Sequence, residues 1–173
     1  MNPALFLDRD GVLNELVLRD GAFVSPRFAS EFRLVDGVTE LLSAAVSKGL
    51  IPVVVTNQPD IGRGLMEPEQ LAAMHRRLTA ELGLEKILVA EAGEDTDPLR
   101  KPNPGMLFLA AEKWNLDLGH SWLIGDSVKD IEAGQRAGVG TILLETNYNR
   151  EYHGSADENF PSIRDITQFL LTL

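Results

Sequence analysis

Apolar residues along this chain fall into two patterns. Short unbroken runs recur at residues 4–7, 50–55, 86–90, 121–124 and 139–144. Each is strand length and mainly apolar, as expected of a strand buried on both faces. Between them the apolar positions are spaced for helices. In residues 37–48, Val38, Leu41, Leu42, Ala45 and Val46 make one stripe, and Gly49 is a stop signal. Residues 67–82 predict a second helix, with Glu67 and Glu69 in its first turn and Gly83 at its end. Asn103 as N-cap and Pro104 at the first helical position predict a third, running to Trp114 or Asn115. Residues 128–137 and 163–171 complete the set. Gly21 and Pro26 break residues 14–32 into a loop or small hairpin over the first strand end. Residues 59–64, 91–99 and 148–155 read as loops. Alternating apolar strands and helices predict a doubly wound, three-layer α/β/α domain with a mainly parallel central sheet.

In such a sheet, ligands bind beyond the carboxyl ends of the strands. Three runs here end in reactive residue types: Asp8 and Asp10, Thr56 and Asn57, and Asp126. Residues two apart on an extended segment leave on one side, so Asp8 and Asp10 face the same way, and Gly11 lets the chain turn behind them. Asp126 and Asp130, four apart across a helix start with Ser127 as cap, join them if the first and fourth strands are neighbours. An oxygen-rich set without sulfur or clustered histidine suits Mg²⁺. Thr56, Asn57 and Lys101 supply a hydroxyl, an amide and a cation for an anionic group. His75, His120 and His153 are too scattered for a metal set, and Met106, Trp114 and Trp122 read as packing residues.

Composition narrows the rest. The 173 residues predict one domain, 1–173, with a good-sized core. A net charge of −10 argues against a nucleic-acid partner. The absence of cysteine removes disulfides, thiol catalysis and cysteine-based zinc. No stretch has the length of a membrane span, and Met1-Asn2-Pro3 has no basic leader, so a cytoplasmic location is expected. A monomer is the default expectation. The acidic run 91–97 reads as a solvated face.

Asp8-Arg9-Asp10-Gly11-Val12, Thr56-Asn57-Gln58, Lys101-Pro102 and Gly125-Asp126-Ser127-Val128-Lys129-Asp130 resemble, in order, the four motifs of the haloacid dehalogenase superfamily of phosphatases. Leu13-Asn14 after the first motif and Arg100-Lys101-Pro102-Asn103-Pro104-Gly105-Met106 are similar to the small branch without a cap domain that includes heptose bisphosphate and histidinol-phosphate phosphatases. The resemblance implies Asp8 as nucleophile forming an aspartyl-phosphate and Asp10 as general acid and base. It implies Mg²⁺ on Asp8, Asp126 and the Asp10 carbonyl, with Asp130 supporting the metal or orienting Lys101. Thr56 and Lys101 would stabilise the phosphoryl oxygens, and Asn57, Gln58 and Arg100 would bind substrate. The substrate implied is a small phosphorylated metabolite, a sugar phosphate or bisphosphate. Arg19, Arg27, Arg63 and Arg100 are candidates for a second phosphate or carboxylate. The chain departs from the pattern at Ser127, where relatives commonly carry Lys, and at Pro59-Asp60, in place of Ser/Ala-Gly. It also lacks the zinc ligands common before the Arg-Lys-Pro motif. A phospho-aspartate signalling module of the receiver type shares the residue types, but not the order in which they occur.

Overall fold

The computed structural model describes residues 1–94 and 96–173; of the acidic run, Asp95 lies outside the described residues. In chain order the elements are β1 (Asn2–Leu7), β2 (Val17–Arg19), β3 (Ala22–Val24), α1 (Val38–Ser47), β4 (Ile51–Asn57), α2 (Pro59–Gly62), α3 (Pro68–Leu82) and β5 (Ile87–Ala90). There follow α4 (Gly105–Trp114), β6 (Leu116–Gly125), α5 (Val128–Ala137), β7 (Gly140–Leu144), β8 (Glu158–Phe160) and α6 (Ile163–Leu170). Six strands form one sheet in the order β5-β4-β1-β6-β7-β8, each pair parallel.

Strand alternation builds the three layers. Leu5, Leu7, Val54 and Ile124 face one side, packed with Leu41, Met74, Leu78 and Ile166 from α1, α3 and α6. Ala4, Phe6, Val53, Val55 and Leu123 face the other, packed with Met106, Ala110 and Ala133 from α4 and α5. Leu5, Phe6 and Leu7 are wholly buried, and each such side chain is worth ~1.5–3 kcal/mol. The doubly wound expectation is met, and among the described residues no cap domain interrupts the motifs. Among the described residues no helix is long and apolar enough to cross a membrane.

Four local expectations are corrected. The sheet has a sixth strand, β8, at its edge, where Glu158-Asn159-Phe160 carries no apolar run. β6 begins at Leu116 rather than at 121; its register on β1 shifts between Pro3 and Leu5, and the Ser121 hydroxyl fills the gap by accepting from the Ala4 N–H at 2.8 Å. The third helix starts at Gly105 with Pro104 as its cap, because Asn103 turns its amide to the Asp97 carbonyl at 2.9 Å. Residues 59–62 form the short helix α2 rather than a loop.

Between β1 and α1 the chain makes a strap, residues 15–33, holding the β2–β3 hairpin and a short 3-10 turn, Ala29–Glu31. Its neck is closed by backbone bonds from Glu15 N–H to Arg33 O and from Val35 N–H to Leu13 O, both 2.9 Å.

Candidate active site

The sheet order puts β1 at a switch point. The chain leaves β1 for β4 and β5 on one side, then returns to β6, β7 and β8 on the other. The carboxyl ends of β4, β1 and β6 are therefore adjacent, and there the helices diverge. Asp8 continues β1, its N–H bonded to Ile124 O at 2.9 Å. Gly11 then turns the chain with φ +88°; a Cβ there would lie 1.9 Å from Asp126 Oδ2. Only glycine permits that conformation and that approach. Gly125 serves similarly, since a Cβ would lie 2.1 Å from the Asp130 Cβ.

Lys101 joins the motifs. Its ammonium donates to Asp8 Oδ1 at 2.8 Å, Asp130 Oδ1 at 2.6 Å and Val55 O at 2.7 Å, using all three protons in an almost fully buried site. Burial disfavours this charge, but Asp130 and Asp8 outweigh burial and raise its proton affinity above the ordinary lysine value. Lys101 lies outside any helix or strand, and the Asn57 side chain holds its backbone. Asn57 Nδ2 donates to Lys101 O at 2.9 Å, and Lys101 N–H donates to Asn57 Oδ1 at 3.0 Å. The Lys101–Pro102 peptide is cis.

Asp8, Asp126 and Asp130 each bring a carboxylate oxygen within 4.8 Å of the others. Asp130 has both oxygens engaged, Oδ1 by Lys101 and Oδ2 by the Ser127 N–H at 3.1 Å and hydroxyl at 2.5 Å, in the capping box that starts α5. Asp126 accepts from the Tyr148 hydroxyl through Oδ2 at 2.6 Å, and its carbonyl accepts from Asn149 Nδ2 at 2.7 Å. Burial, then the like charge of Asp130, pushes Asp126 up to about 7. Burial also raises Asp8, with Lys101 opposing and the other acids adding to it. Carboxylates crowded this way, with oxygen donors alone, fit a hard divalent cation such as Mg²⁺.

Asp10 is held differently. Arg9, wholly buried, donates to Oδ1 at 2.8 Å and to Oδ2 at 3.1 Å; Asn14 Nδ2 reaches Oδ1 at 3.0 Å and Gln58 Nε2 reaches Oδ2 at 2.7 Å. Burial would raise this carboxyl, but the Arg9 charge and these bonds override it and hold Asp10 below the usual carboxylate range. Behind Arg9, His75 Nε2 lies 3.3 Å from Nη1; burial, then Arg9, pushes the imidazole down to about 4, so it is neutral and accepts.

These groups line a cleft of about 360 Å³ whose outer wall is the strap, through Leu16, Phe23, Val24, Ser25 and Arg27. The structure brings Asp8, Asp10, Asn57, Gln58, Lys101, Asp126 and Asp130 to it. Thr56 sits just behind, wholly buried, its hydroxyl accepting from Gln58 Nε2 at 2.8 Å. Arg100 is not brought to the cleft; it is 6% exposed and donates to Ala92 O at 3.1 Å. Sequence reasoning missed Arg9, His75, Tyr148 and Asn149. Arg9 stood inside a motif, and a buried cation beside two acids was a usable signal. Tyr148 and Asn149 lie in an irregular stretch whose pattern carries none.

Residues 5–138 match the model of the haloacid dehalogenase-like hydrolases. D-glycero-alpha-D-manno-heptose-1,7-bisphosphate 7-phosphatase of Burkholderia mallei is 39% identical over 156 residues, which is 83% of this chain and 79% of that one. D-glycero-beta-D-manno-heptose-1,7-bisphosphate 7-phosphatase of Vibrio cholerae is 35% identical, over 98% of this chain and 96% of that one. Among solved structures, D,D-heptose 1,7-bisphosphate phosphatase from B. bronchiseptica, complexed with magnesium and phosphate, superposes with a TM-score of 0.83 at 26% identity, over 98% of both chains. The motifs, the sheet order and these matches agree: this chain belongs to the haloacid dehalogenase-like hydrolases.

Proposed function

We propose that the chain is a Mg²⁺-dependent phosphatase acting on a small phosphorylated sugar of the heptose 1,7-bisphosphate kind. The observation that carries this is Asp8 at the end of the central strand, its carboxylate 2.8 Å from the Lys101 ammonium and grouped with Asp126 and Asp130. The family match to hydrolases, with the motif order, sets aside the receiver-like signalling module.

Asp8 attacks the phosphorus and the ester oxygen leaves with a proton from Asp10. Water then attacks the aspartyl-phosphate, giving its proton to Asp10 and freeing Asp8. In the free protein Asp10 is held as a carboxylate; a phosphoryl dianion beside it, being a like charge, raises its proton affinity and loads it for the first step. Lys101 meets the phosphoryl oxygens as charge spreads onto them, while Thr56, buried behind the cleft, holds Gln58 through its hydroxyl. Asp130 positions Lys101, Asn57 fixes its backbone, and Gln58 joins Asp10 to Thr56. Mg²⁺ held by Asp8, Asp126 and the Asp10 carbonyl, with Asp130 behind them, supplies charge neutralisation at the phosphoryl group.

Phosphate release should be measured on heptose bisphosphate, other sugar phosphates, histidinol phosphate and nucleotides, with Mg²⁺ and with chelator. Chelator-sensitive turnover highest on the heptose substrate is expected. Preference for histidinol phosphate would overturn the substrate, and turnover unaffected by chelator would overturn the metal.

Protonation gives a second test. Asp126 rises from 3.8 to about 7 on folding, so the folded chain holds a proton that the unfolded chain releases. Its stabilising contribution is therefore full below about pH 4 and is lost as pH rises through about 7, an effect on the order of a few kcal/mol. The metal-free protein is expected to have a lower Tm at pH 8 than at pH 5, and Mg²⁺ should raise Tm more at pH 8. An equal Mg²⁺ effect at both would count against a cation on these carboxylates.

A further inference from the structure

Asp8, Asp126 and Asp130 meet at the inner end of the cleft, and their other partners distinguish them. Asp8 spends Oδ1 on Lys101, and Asp130 spends both oxygens, on Lys101 and on Ser127. Asp126 spends Oδ2 on the Tyr148 hydroxyl, 2.6 Å away. Asp8 and Asp126 therefore each keep one oxygen to give to a cation, and for Asp126 it is Tyr148 that sets this number. Tyr148 belongs to none of the four motifs; it stands on the segment that follows β7.

Several elements hold that contact in place. Gly11 makes room for it, since a Cβ there would lie 1.9 Å from Asp126 Oδ2 and 2.9 Å from the Tyr148 oxygen. The next residue, Asn149, is buried and clamps the segment to the same acid. Its Nδ2 donates to Asp126 O at 2.7 Å and to Leu144 O at 2.9 Å, and its Oδ1 accepts from the Thr146 N–H at 2.7 Å. On the outer side, the Phe23 ring of the strap lies 5.2 Å from the Tyr148 ring, tilted by 43°.

We infer that Tyr148 is a positioning residue that holds Asp126 to one-oxygen coordination, and so favours Mg²⁺ over Ca²⁺ at this site. This rests on the Mg²⁺ site of the proposed function and deepens it. Mg²⁺ demands a near-ideal octahedron, keeps several waters and is satisfied by single carboxylate oxygens. Ca²⁺ is larger, takes more oxygens and readily accepts both from one carboxylate. A carboxylate with one oxygen already bonded cannot offer that second ligand without giving up the bond. The hydroxyl also fixes the rotation of the carboxylate, which lowers the ordering that binding a cation would otherwise cost.

The test is cation binding to the metal-free protein without substrate. It uses calorimetric titration with MgCl₂ and with CaCl₂, and the rise in Tm that each salt gives. Wild type, Tyr148→Phe and Tyr152→Phe are compared; Phe removes the hydroxyl and keeps the ring. Tyr148→Phe is expected to weaken Mg²⁺ binding by about tenfold or more and Ca²⁺ binding much less, so the preference for Mg²⁺ narrows. Tyr152→Phe, on the same segment, should leave both unchanged. A proton on Asp126 competes with both cations alike, so the ratio of the two affinities reads geometry rather than charge. Equal weakening of both, or an unchanged ratio, would overturn the role of Tyr148 and leave the metal site standing. A wild type that binds neither cation would overturn the Mg²⁺ site and this inference with it. The titrations need no turnover, so the expected shift without hydrolysis of any phosphoester would overturn the proposed function alone.

Discussion

Asp8→Asn is expected to lower phosphate release by about 10⁴-fold or more while leaving the metal-free protein at least as thermally stable as wild type. The two halves of this outcome have separate causes. An amide oxygen neither attacks phosphorus effectively nor leaves an aspartyl-phosphate, so chemistry stops. Folding, by contrast, opposes the Asp8 charge: burial raises its pKa, and Asp130, Asp126 and Asp10 add to the rise. Asn removes a charge that the fold disfavours, and Lys101 keeps Asp130 and the Val55 carbonyl. Phosphate assays and thermal melts on the same preparation check both halves. Wild-type activity in the variant would mean that another group is the nucleophile.

Lys101→Met should damage both properties. Met keeps the apolar stem but removes the ammonium that three acceptors share. Turnover is expected to fall by roughly 10²–10³-fold, the loss typical of removing a preorganised charge from a transition state. Stability should fall by roughly 3–5 kcal/mol near neutral pH, because buried carboxylates lose their counter-ion. The deficit should shrink at acid pH as Asp8 and Asp126, both raised by burial, take up protons. Urea unfolding at pH 5 and pH 8 reads this directly; an equal deficit at both would mean that Lys101 matters by packing rather than by charge.

Much of this architecture was legible because a two-sided parallel sheet writes itself as unbroken apolar runs. β1, β4 and β7 were found that way, and the carboxyl ends of β1 and β4 named Asp8, Asp10, Thr56 and Asn57. What escaped had no such signature. β8 is three half-buried residues at an edge, held by backbone bonds that any side chain allows. The first half of β6 pairs through an irregular register bridged by Ser121, which a periodicity does not anticipate. Asn57 suited substrate binding by type, yet its amide is spent on the Lys101 backbone; residue type names a donor and an acceptor, not their partners. Tyr148 reaches Asp126 from a loop twenty-two residues on, a proximity created by the fold alone.

The closed neck of the strap has a consequence for how such a protein can change. Leu13, Glu15, Arg33 and Val35 are tied to one another before the segment between them begins. Lengthening a loop whose ends are already joined costs little, about 0.6 kcal/mol per doubling. The strap therefore behaves as an exchangeable cassette short of Phe32, which is buried in the core with the Arg9 guanidinium over its ring: a graft that ends on the same four residues and keeps Phe32 would bring new groups to the mouth of the cleft while β1, Asp8 and Asp10 keep their places.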